Sequence, residues 1–75
     1  MYGGRDPMLG ADSLRAHKIY SYRLSNGMTQ AEFAQMCNAS NEVVAGWEKG
    51  VMPEEEHLKK LSEILETPIE KLIGR

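Results

Sequence analysis

TQAEFAQMCNASNEVVAGWEKG, residues Thr29 to Gly50, carries two short helices and the tight turn between them. Thr29 offers a hydroxyl as N-cap, and Glu32, three residues on, closes a capping box. Phe33, Ala34 and Cys37 then share one helical face. Asn38 tolerates the left-handed conformation that helix C-termini often need. Ser40 caps a second helix with Val44 and Trp47 three apart, and Gly50 ends it. The spacing predicts helices over Gln30–Cys37 and Asn41–Lys49.

Outward from this stretch the chain reads as helix and connection alone. Residues 1–12, with Gly3, Gly4, Pro7 and Gly10, predict a flexible arm, and residues 13–75 a single domain. Asp12 or Ser13 offers the N-cap of a first helix that reaches Leu24 or Ser25, buries Ile19 and Tyr22, and stops at Gly27. Pro53 suits the first position of a fourth helix, with Glu54, Glu55 and Glu56 at its positive end. Leu58, Leu61, Ile64 and Leu65 form its buried stripe. Thr67 caps a last short helix, with Pro68 first and Glu70 completing a second capping box. Ile69, Leu72 and Ile73 then return to the core. Five helices and no strand pattern predict an all-α domain.

Composition bounds the function. Hydrophobic content of 41% with 27% charged residues is that of a soluble globule. No apolar run approaches the roughly 18 residues of a membrane span. Residues 1–13 lack an apolar signal segment, and the one cysteine forms no internal disulfide, so a cytoplasmic chain is expected. Cys37, on an apolar face, reads as a buried small hydrophobe rather than a nucleophile. His17 and His57 stand forty residues apart with no ligand at metal spacing, and read as surface histidines. No phosphate-binding glycine loop is present. A non-enzyme without metal or cofactor is expected.

Two helices joined by a tight turn are the pattern of a DNA-reading motif. The residues TQAEFAQ, AS, V and WEKG resemble the Cro/CI-type helix-turn-helix of phage and bacterial repressors, the XRE or lambda-repressor-like class. The resemblance runs from about Leu14 to Ile73 and implies a compact five-helix DNA-binding domain. It also implies that Arg23, six residues before the Thr29 cap, pairs with Glu48 as an architectural ion pair. Read by themselves, the two are ordinary surface charges. By the same resemblance, Asn41, Glu42, Ala45 and Gly46 face DNA, with Ser40 and Gln30 near the backbone and Gln30 bracing a base-reading side chain. Asn41 suits an adenine edge, Glu42 a cytosine amine, and Val43, if it points outward, a thymine methyl.

Charge divides the readings. Residues 1–28 carry net +2, residues 29–50 net −2 and residues 51–75 net −2. Phosphate neutralisation supplies most non-specific DNA affinity, yet the motif holds a single basic residue, Lys49. Glu54 to Glu56 serve a helix dipole or repel phosphates. One expectation is a regulator that binds double-stranded operator DNA as a homodimer, helped by Lys49, Arg15, Lys18 and Arg5. The alternative is an antirepressor, or modulator of repression, whose acidic face binds a partner repressor through Val43, Met52 and Met28. An antitoxin ranks third, because the arm is short for toxin binding.

Overall fold

The computed structural model describes residues 10–74 and contains five helices: α1 (Ala11–Ser25), α2 (Gln30–Cys37), α3 (Asn41–Glu48), α4 (Glu55–Leu65) and α5 (Ile69–Ile73). Among the described residues there is no strand. Residues 1–9 of the expected arm lie outside the described residues, while Ala11 and Asp12 already belong to α1.

Four helix ends use one device. Gly27, Asn38, Gly50 and Glu66 each take a positive φ, of 63°, 61°, 102° and 52°. The next residue's amide then reaches back five positions: Met28 to the Arg23 carbonyl, Ala39 to Ala34, Val51 to Gly46 and Thr67 to Ser62. These bonds satisfy carbonyls that a helix end otherwise leaves open.

Ile19, Phe33, Ala34, Cys37, Val44, Trp47, Leu58, Leu61 and Leu72 form the core, drawing on all five helices. Tyr22 meets Phe33 edge-on at 5.8 Å. His57 is half-buried edge-on against Trp47 at 5.1 Å, and so is not the surface histidine expected from sequence.

Three helix starts differ from expectation. Gly10, not Asp12 or Ser13, is the N-cap of α1, which frees the Asp12 carboxylate to accept from Arg15 at 3.0 Å. Pro53 lies before the Glu54 cap of α4 rather than inside the helix. Its fixed φ serves an extended connection as readily as a first turn. The Thr67 capping box does not form either. With Glu66 left-handed, Thr67 folds back on α4 and its hydroxyl donates to the Leu65 carbonyl at 3.0 Å, leaving Pro68 as the cap of α5.

Candidate nucleic-acid interface on α2 and α3

Local hydrogen bonds fix both helices of the motif. The Glu32 amide donates to Thr29 Oγ1 at 3.1 Å, and the Thr29 amide to Glu32 Oε1 at 2.8 Å. Asn38 turns the chain, and the Val43 amide donates to Ser40 Oγ at 3.2 Å to start α3. Val44 and Trp47 anchor the inner side of α3 in the core.

An ion pair then locks α3 to α1. Arg23 Nε donates to Glu48 Oε2 at 2.8 Å, and Nη2 to Oε1 at 3.1 Å. Arg23 Nη1 donates to the Met28 carbonyl at 3.1 Å, and Gln30 Nε2 to Glu48 Oε1 at 3.1 Å. Both charged side chains are about nine-tenths buried, at 12% and 11% exposure, so they are not solvated surface charges. The hydrogen bond that Arg23 donates to Glu48 raises the Arg23 pKa against the opposing effect of burial. Tyr20 lies 5.4 Å from the guanidinium and completes the cluster. Its role escaped the sequence reading, although its position three residues before Arg23 puts the two on one helical face.

On the outer side of α3, Asn41, Glu42, Val43 and Lys49 are exposed, and Ala45 and Gly46 are partly exposed. Ser40 is exposed with its hydroxyl engaged as a cap. The expected residues are thus accessible on α3, with Ala45 and Lys49 toward α1 and Glu42, Val43 and Gly46 toward the connection to α4. Gln30 borders it, but its amide nitrogen is bound to Glu48, which makes it part of the motif's frame.

Arg15 corrects the expected set of phosphate contacts. Its side chain is fully buried, donating through Nη1 to the Leu72 carbonyl at 2.9 Å and through Nη2 to the Gly50 carbonyl at 3.1 Å. It ties α1 to α5 and to the end of α3, and is withheld from any ligand. Lys18 is partly exposed on α1, and Arg5 lies outside the described residues.

Two hollows flank α3. Toward α1, Ser13, His17, Tyr20, Gln30, Ala45 and Lys49 border an open hollow of about 490 Å³. On the other side, α3 and the connection to α4 enclose about 300 Å³ among Glu42, Val43, Gly46, Val51, Met52 and Glu54. The first places a cation and hydrogen-bonding groups beside the outer face of α3. The second is apolar with an acidic rim.

Among the described residues no three His, Cys, Asp or Glu side chains gather as metal ligands, and no helix is long and apolar enough to cross a membrane. A model of the helix-turn-helix family matches residues 19–72. No curated protein and no solved structure gives a significant match.

Proposed function

Since the chain belongs to the helix-turn-helix family, one of DNA-binding transcription regulators, we propose that it reads operator DNA through α3. The observation that carries this reading is the accessibility of Asn41, Glu42, Ala45 and Gly46 on α3, and of Lys49 at its end, with the helix held by the Arg23–Glu48 pair. In the major groove, Asn41 matches the donor and acceptor of an adenine edge, and Glu42 accepts from a cytosine amine. Lys49 and Lys18 attend the phosphates. A homodimer would set two such helices about one DNA turn apart.

A second reading has its own support. Arg15 is buried and Arg23 is committed to Glu48, so the motif offers few free cations beside Glu42 and Glu54. An acidic face suits the basic DNA-reading face of a partner repressor, and binding there would make the chain an antirepressor.

Glu42→Lys separates the two. Operator affinity should rise about threefold to tenfold if α3 meets phosphates, through the added attraction. Affinity for a repressor should fall by a similar factor if the acidic face is the docking face. Fluorescence anisotropy with labelled promoter DNA, with and without a purified Cro/CI-type repressor, measures both. No change in either would remove this face from the function.

A further inference from the structure

The hollow between α3 and the α3–α4 connection combines exposed apolar side chains with an acidic rim. Val43, Val51 and Met52 expose 39%, 58% and 49% of their area around it. Large apolar side chains grouped at the surface mark a contact site more often than scattered ones do. Gly46 leaves its floor bare. A Cβ at that position would meet Val51 at 3.6 Å, an ordinary contact, so the backbone tolerates a side chain that the sequence omits. Glu42 on α3 and Glu54 at the start of α4 stand on the rim, followed by the exposed Glu55 and Glu56.

We propose that this groove receives an amphipathic helical segment of a protein partner, with apolar residues seated over Gly46 and flanking lysines or arginines paired with Glu42 and Glu54. The inference rests on the second reading above, that the acidic face engages a protein, and adds the place and chemistry of the contact. Charge chooses the occupant. DNA would bring phosphates against Glu42 and Glu54, and a second copy of this chain would set the same carboxylates against each other. A helix with basic flanks meets both the apolar floor and the acidic rim. Met52 and Val43 supply a floor that adjusts to side chains of different shape.

Lys49 and Ala45 lie on the opposite flank, facing α1. Glu42 and Gly46 belong both to the groove and to the DNA-facing surface of α3. A segment seated in the groove therefore competes with DNA for part of α3 while leaving the α1 side open.

The test uses the full chain and two synthetic helices of about 18 residues, with identical leucine faces and either lysine or glutamate flanks. Amide chemical-shift mapping gives the site and calorimetry the affinity, with no DNA present. The lysine helix should shift Val43, Gly46, Val51 and Met52 and bind at least about tenfold more tightly than the glutamate helix. Glu42→Lys combined with Glu54→Lys should invert that preference, and Val51→Ser should weaken binding. All three substitutions are at exposed positions, and circular dichroism verifies the fold. Equal binding of the two helices, shifts elsewhere, or no binding of the lysine helix overturns the proposal. So does an operator duplex that shifts the groove residues when the lysine helix does not. Titrating the repressor separates the two claims: a repressor that leaves the groove unshifted while the lysine helix fills it ends the antirepressor reading and leaves the groove's chemistry standing.

Discussion

Cys37 and Arg15 are both fully enclosed. Burial pushes the Cys37 thiol from an ordinary 9.0 up to about 11, only partly opposed by Lys60. Between those values the unfolded chain loses the thiol proton and the folded chain keeps it. The unfolded state then binds fewer protons, so stability falls as pH rises. The slope should approach about 1.4 kcal/mol per pH unit from this group. Urea unfolding of the native chain and Cys37→Ala between pH 8 and 11 checks it: the difference between the two should shrink as pH rises. Arg15 is held by carbonyls of Leu72 and Gly50 in addition to Asp12. Removing it strands two acceptors and opens a void, so Arg15→Ala should cost about 3 kcal/mol, measured by the same unfolding. Arg15→Lys should recover little, because one ammonium lacks the fork that spans both carbonyls. Nothing in the sequence marks this arginine as internal, because its partners lie 35 and 57 residues away.

At the level of the element, what was legible follows the range of the interactions. The Thr29 box, the Ser40 cap and the Asn38 turn were readable because each closes within five residues and depends on side chains suited to that bond. The Arg23–Glu48 pair came from the family resemblance alone, since 25 residues separate its partners. Pro53 and Thr67 misled for one reason: each suits both a helix start and the connection before it, and tertiary packing chose the connection. Glu66 gave no signal, because a left-handed helix end is expected of glycine or asparagine. Gly46 is the element-scale position most open to test. Its backbone accepts a Cβ, so Gly46→Ala should stabilise the fold by about 0.5–1 kcal/mol, read as a higher denaturation midpoint. The same change should weaken binding of the lysine helix by partly covering the groove floor.

For the whole molecule, the decisive quantity is how much positive charge the fold leaves available. The chain carries nine lysines and arginines. Arg15 and Arg23 are used internally, whereas Lys49 remains beside the α1 hollow and Lys18 lies on the side of α1 toward Leu65 of α4. The exposure of α3's outer residues follows from its helical period, but the loss of Arg15 and the separation of two flanks required the packed fold. Operator binding is accordingly expected to release few counterions, with base contacts carrying a large share of specificity. The most direct measurement is a salt-titrated affinity of the chain for its upstream promoter duplex and a scrambled duplex, repeated with Asn41→Ala and Lys49→Ala. The account predicts preference for the promoter, a shallow salt slope of about −2 to −4 per protomer in log–log form, and loss of that preference in Asn41→Ala. Lys49→Ala should instead weaken both duplexes and flatten the slope by about one. Equal affinity of the native chain for the two duplexes, or no affinity at any salt, would contradict operator reading by α3.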